Sequence, residues 1–186
     1  KIAIVPSWHN YTKDKVIVRI NPGMAFGTGE HESTKMCLEL MQGLELEAKD
    51  ALDIGCGSGI LGIAAIKLGA KSCYFADIDS VALDNMRENA TLNNTLDKSV
   101  IEQASLTQGQ LIMRGDILLA NITADILIKL SEDIKDVLNT SATIILSGII
   151  KEREEEVVSA YIKAGLCLEK RLTQNDWVAL KFSYGA

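Results

Sequence analysis

The sequence predicts an α/β fold, with a Rossmann-like, seven-stranded, mostly parallel sheet that ends in an antiparallel hairpin. Three observations lead there. A short apolar run, Ala51 to Ile54, enters three alternating glycines, Gly55, Gly57 and Gly59, and an apolar helical pattern follows at once and stops at Gly69. Strand-like and helix-like runs then alternate down the chain, which is the pattern of βαβ units and a parallel sheet. The last two strand-like runs, Leu166 to Leu172 and Trp177 to Phe182, are joined through Thr173 to Asp176 with no helix between them.

Composition narrows the classes. The chain has 186 residues, 47% of them hydrophobic, enough for one domain with a full core. No apolar run approaches the ~20 residues that a membrane-spanning helix needs, so no membrane partner is expected. The net charge of −6 gives no broad electrostatic support for nucleic acid, and no direct nucleic-acid binding is expected. Cys37, Cys56, Cys73 and Cys167 are scattered without a C-x-x-C pair, and there are two histidines. That usage fits a reduced, cytoplasmic protein without a metal site.

Taken in order, residues 1–20 hold two short β-like runs, Ile2 to Val5 and Val16 to Ile20, expected to form an N-terminal hairpin or linker. Asn21 to Thr34, reading N-P-G-M-A-F-G-T-G-E-H-E-S-T, is an irregular loop rich in glycine and proline. A helix opens near Glu32, with Cys37, Leu38 and Met41 on its apolar side and Gly43 at its end. Ser33 and Thr34 stand in its first turn, where free N–H groups await either a capping side chain or a ligand carboxylate. His31 has no partners for a nucleophilic or metal role. It reads as structural or, with Phe26, as a candidate lining residue for a substrate.

The stretch Asp50 to Gly62, D-A-L-D-I-G-C-G-S-G-I-L-G, is strand, glycine turn and helix. Asp53 decides between ligands. A carboxylate two residues before the first glycine repels a pyrophosphate but favours the sulfonium and ammonium of S-adenosylmethionine. Gly57, Gly59 and Gly62 also spell G-x-G-x-x-G, so a nicotinamide cofactor stays open, although that register starts late after the strand. The next strand, Ser72 to Ala76, ends at Asp77, 22 residues after Gly55, the spacing at which a carboxylate accepts hydrogen bonds from ribose hydroxyls. Asp79 and Ser80 read as caps for a helix from Val81 to Leu92.

Val100 to Glu102 is a weak strand, and Thr107 to Gly115 has no helical period. Asp116 to Ala120 is a buried-type strand, followed by a helix expected over Ala124 to Leu138. A strand over Thr143 to Leu146 leads to Ser147 and Gly148, and a charged helix is expected from Lys151 to Lys163. Asn121 is the candidate catalytic residue. It lies at the carboxyl end of its strand, where α/β folds bind ligands, and its amide can accept an amine N–H and so aim the nitrogen lone pair. A strand-end Asn can equally satisfy loop backbone.

These motifs, with L-A-N-I-T-A, L-S-G-I and the late D-W, make the chain resemble the PrmA family, methyltransferases that modify ribosomal protein L-eleven. The glycine loop alone marks the broad methyltransferase superfamily, whereas A-F-G-T-G-x-H-x-[ST]-T, Ala25 to Thr34, is far more specific. The resemblance implies class I methyltransferase architecture over residues 1–186. It also implies S-adenosylmethionine contacts at Thr34, Gly55, Asp77 and Asn121, and methylation of lysine ε-amines and an N-terminal α-amine. Asp53, Gly57 and Gly59 complete the expected cofactor set, and ribosomal protein L-eleven is the implied partner. The family carries a substrate-recognition domain upstream of where this chain begins, and Glu32 stands where the family often has Pro. Other readings remain: methylation of another protein or of a glutamine or nucleic-acid nitrogen, a nicotinamide-dependent oxidoreductase, or a cofactor-binding module without activity.

Overall fold

The computed structural model describes residues 2–11, 15–21, 23, 29, 31–105 and 113–184. Strands β1 (Ile2–Pro6) and β2 (Val16–Ile20) pair with each other, and in parallel, from Ile2 opposite Val16 to Pro6 opposite Ile20. Of the two expectations for residues 1–20, a hairpin or a linker, the hairpin is therefore corrected to a two-stranded parallel ribbon. A hairpin needs antiparallel neighbours joined at a tight turn, and these two strands run the same way. Val18 and Ile20 are buried and belong to the main core.

Helix α1 (Glu32–Met41) is followed by β3 (Asp50–Ile54), α2 (Ile60–Lys67), β4 (Ser72–Asp77), α3 (Ser80–Leu92), β5 (Ser99–Gln103) and β6 (Gly115–Asn121). Then come α4 (Ala124–Asp133), β7 (Leu138–Ile150), α5 (Glu154–Lys163), β8 (Leu166–Gln174) and β9 (Trp177–Tyr184). The seven-stranded sheet has the order β5-β4-β3-β6-β7-β9-β8. Its first five strands are parallel neighbours, and β9 runs antiparallel between β7 and β8. The strand order reverses between β3 and β6, and an open α/β sheet leaves a crevice for ligands at the carboxyl ends of such a pair.

Alternation along the strands divides the core in two. Ala51, Cys73, Phe75, Ile117 and Leu119 face one side, under α1, α2 and α3. Leu52, Ile54, Tyr74, Leu118 and Ala120 face the other, where α4 and α5 bring Leu127, Leu130, Val157 and Tyr161. Helix α2 is buried from Ile60 to Ile66, which explains its uniformly apolar sequence. Cys37, Cys56 and Cys73 are buried free thiols, and Cys167 on β8 is exposed. No helix among the described residues is long and apolar enough to cross a membrane.

Several boundaries differ from expectation, among them that of β7, which runs through Ser147 and Gly148 to Ile150. The helix expected to reach Leu138 stops at Asp133, a 3-10 turn covers Ile134–Asp136, and Leu138 already opens β7. Ile134, Val137 and Leu138 are all buried, so the apolar spacing continued although the backbone had changed state. The charged helix likewise opens with a 3-10 turn at Lys151–Arg153 before α5.

Candidate active site

The turn after β3 is built by backbone hydrogen bonds. The N–H groups of Gly55 and Cys56 both donate to the Ala76 carbonyl at the end of β4, at 2.8 and 3.1 Å. Gly55 has φ +65°, and a Cβ there would stand 2.5 Å from the Ile122 side chain, so a larger residue is excluded on both counts. Asp53, 1% exposed, accepts from the Gly62 N–H at 2.8 Å and so ties the strand to the first turn of α2. Burial, reinforced by the nearby Asp77 carboxylate, pushes the Asp53 carboxyl up to about 8 despite that hydrogen bond. Asp53 is thus a post beneath the glycine turn as well as part of the cavity wall.

Asp77, at the tip of β4, accepts from the Gly57 N–H through Oδ2 at 2.9 Å and from the Asp79 N–H through Oδ1 at 3.0 Å. Each carboxylate oxygen keeps a further lone pair. Asp79 accepts from the Val81 N–H and is the N-cap of α3, the role its position predicts.

The opposite wall comes from the end of β6 and the first turn of α1. Asn121 Nδ2 donates to Thr34 Oγ1 at 3.1 Å, joining residues 87 positions apart. Asn121 Oδ1 is buried and has no hydrogen-bond partner among the described residues. Gly148, where the β7–β9 register shifts, has φ +79°, and a Cβ there would meet the Ile122 carbonyl at 2.6 Å and Asn121 Oδ1 at 3.0 Å. The cap of α1 is neither Ser33 nor Thr34 but His31, whose Nδ1 accepts from the Ser33 N–H at 3.2 Å. The His31 ring meets Trp177 edge-on, with centroids 4.8 Å apart. Asn175, in the β8–β9 turn, donates to Glu32 at 3.0 Å, so the terminal hairpin braces the start of α1.

Between these walls lies a cavity of about 540 Å³, within the range of small-molecule sites. Thr34, Asp53, Gly55, Gly57, Asp77 and Asn121 all line it. Gly59 lies below, as the N-cap of α2, and His31 stands beside Thr34 without forming the wall. Phe26 lies outside the described residues. Ile78, Ala82, Ala104, Ile122 and Ile126 supply apolar wall that the sequence motifs do not mark. A signal existed for two of them, since Ile78 sits between the two aspartates and Ile122 directly follows Asn121. No group of three or more His, Cys, Asp or Glu that could hold a metal occurs among the described residues.

The strand order with an antiparallel β9, and a cavity at the switch point under a glycine turn, define the class I methyltransferase fold. A precorrin-6y C5,15-methyltransferase from Geobacter metallireducens superposes with a TM-score of 0.75 over 94% of this chain and all of its own, at 14% identity. The family model for ribosomal protein L11 methyltransferase (PrmA) matches residues 1–184, and the chain belongs to that family. It is 48% identical over 178 residues to the ribosomal protein L11 methyltransferase of Caldicellulosiruptor saccharolyticus, covering 95% of this chain and 58% of the relative. Its likeness to the corresponding protein of Thermoanaerobacter pseudethanolicus is 42% over 182 residues, again 58% of the relative. The chain thus spans a little over half the length of these curated relatives. A solved ribosomal protein L11 methylase from Lactobacillus delbrueckii subsp. bulgaricus superposes with a TM-score of 0.91 at 30% identity, covering 100% of this chain and 94% of the other.

Proposed function

We propose that residues 1–186 form an S-adenosylmethionine-dependent methyltransferase domain, acting on lysine ε-amines and an N-terminal α-amine of ribosomal protein L11 in the cytoplasm. The observation that carries the chemistry is the buried Asn121 Oδ1 beside the cavity, without a partner among the described residues. A buried carbonyl oxygen without a donor costs about 1–3 kcal/mol, a cost that an amine N–H from a bound substrate would relieve.

The donor set fits S-adenosylmethionine. Asp77 has lone pairs left for two ribose hydroxyls, Gly55 and Gly57 allow close approach of a ligand to backbone, and Ile78, Ala82 and Ala104 offer an apolar bed for a flat base. When bound, S-adenosylmethionine supplies an electrophilic methyl group on a sulfonium centre. Asn121 accepts an N–H of the incoming amine and aims its lone pair, while Thr34 fixes the rotamer of Asn121 by accepting from Nδ2. Ile54, Cys56, Leu61 and Ile122 keep the surroundings apolar. In such surroundings a lysine ammonium, whose ordinary pKa is about 10.4, releases its proton to solvent more readily. No protein base is required for that step.

Calorimetric titration tests the cofactor class. Adenosylhomocysteine should bind one molecule per chain and NAD should not bind. Binding of NAD with no binding of adenosylhomocysteine would overturn the proposal in favour of an oxidoreductase. Transfer of labelled methyl groups from S-adenosylmethionine to purified ribosomal protein L11, and not to RNA, tests the acceptor.

A further inference from the structure

Helix α3 carries Asn85 and Asn89, and Asn93 is its C-cap; the three stand one turn apart and are all buried. Asn93 Oδ1 accepts from the Arg19 N–H at 2.8 Å, and its Nδ2 donates to the Arg19 carbonyl at 2.6 Å. Asn89 Oδ1 accepts from the Asn21 N–H at 2.8 Å, and its Nδ2 donates to the Asn21 carbonyl at 3.3 Å. Asn85 Nδ2 donates to the same carbonyl at 3.2 Å. Arg19 and Asn21 are alternate residues of an extended segment, so their N–H and C=O groups point the same way. The two carboxamides therefore take the place of a neighbouring strand. The match is metric: four residues of helix rise about 6 Å, and two residues of strand rise about 6.6 Å.

Asn89 does one thing more. Its Nδ2 also donates to the carbonyl of Ser58, inside the glycine turn, at 2.9 Å. Asn93 makes no bond to that turn; its remaining Nδ2 bond is to the Asn89 carbonyl at 2.7 Å. A single carboxamide thus holds both the turn that contains Gly57 and the end of the N-terminal ribbon. The ribbon is fastened to α3 and the glycine turn through side chains, since among the described residues β1 and β2 pair only with each other in the sheet topology.

We infer that Asn89 is a positioning residue that couples the glycine turn to the end of β2, so that occupation of the cofactor cavity tightens the backbone at Asn21. This rests on the proposed cofactor reading. Ligand contacts at Gly55, Gly57 and Asp77 restrict the turn, and the Ser58 carbonyl passes that restriction to Asn89. Asn93 shares the scaffold role at Arg19 but not the link.

Hydrogen exchange at the Arg19 and Asn21 amides, each compared with β6 amides that report global opening, separates the two roles. In the unaltered chain, saturating adenosylhomocysteine should slow exchange at Asn21 by about tenfold more than at β6. In Asn89→Ala that excess slowing should fall below about twofold, with adenosylhomocysteine binding three- to tenfold weaker, the size expected for one or two neutral hydrogen bonds. Asn93→Ala should speed exchange at Arg19 without ligand yet keep the ligand-linked slowing at Asn21. If Asn89→Ala does not fold, Asn89→Ser, which keeps a small polar group but cannot span both carbonyls, takes its place. Undiminished slowing without the Asn89 carboxamide, or equal loss in Asn93→Ala, overturns the inference and leaves a purely structural ladder. Binding of adenosylhomocysteine without excess slowing in the unaltered chain overturns it too and leaves the cofactor reading standing. Absence of binding overturns both.

Discussion

Asn121 and Asp77 are both polar side chains at strand ends on the same cavity, yet their bonding sets them different tasks. Asn121 has one of its two polar atoms engaged, by Thr34, and the other buried without a partner among the described residues. Asn121→Ala should lower turnover about a hundredfold, close to 3 kcal/mol of transition-state alignment, while adenosylhomocysteine affinity changes less than threefold. Equal losses in both measurements would make it a cofactor-binding residue alone. Asp77 already supports the turn through Gly57 and the start of α3 through Asp79. Asp77→Ala should weaken adenosylhomocysteine binding tenfold to a hundredfold, about 1–3 kcal/mol, with the circular dichroism of the helices retained. Unchanged affinity in a folded variant would move the ribose contact to Asp79.

At the scale of elements, the β3–α2 unit depends on a carboxyl group that burial keeps from ionising. The folded chain holds the Asp53 proton up to about pH 8, whereas the unfolded chain releases it near 3.8. Over that window the native state binds the extra proton, so this group's contribution to stability falls as pH rises. Asp53→Asn retains an acceptor for the Gly62 N–H and has no proton to lose. Denaturation at pH 5 and pH 8 should show the unaltered chain losing roughly 2–4 kcal/mol more than this variant between the two. Parallel pH profiles would mean that Asp53 is ionised in the folded chain. The same unit was the most readable part of the sequence, because an apolar run, positive-φ glycines and a helix start are all local chemistry. The Asn89 bonds were not readable. An Asn every fourth residue looks like a solvated helix face, and its partner Asn21 lies 68 residues away. Likewise the sense of β1–β2 pairing depends on the path between the strands, and the end of α4 was hidden because Ile134 and Val137 are buried in either conformation.

Across the whole molecule, the fold superposes with a TM-score of 0.75 on a structure only 14% identical in sequence, while the relatives at 40% identity and above belong to one family. The first likeness is one of fold alone, and function is set by sites carried on a fold. The burial of three thiols has a practical consequence. Burial drives the Cys37 thiol up to about 12 and pushes Cys56 and Cys73 up as well, with the Asp53 carboxylate adding to each. Since the thiolate is the reacting form, these three are chemically silent while the fold is closed. A maleimide dye should therefore attach rapidly to Cys167 on the outer hairpin, and four equivalents should react after denaturation. Four equivalents entering the native chain at one rate would contradict the burial. Cys56 sits between Gly55 and Gly57, so its slow alkylation acts as a stopwatch for opening of the glycine turn. Adenosylhomocysteine should slow that clock and leave the labelling of Cys167 untouched.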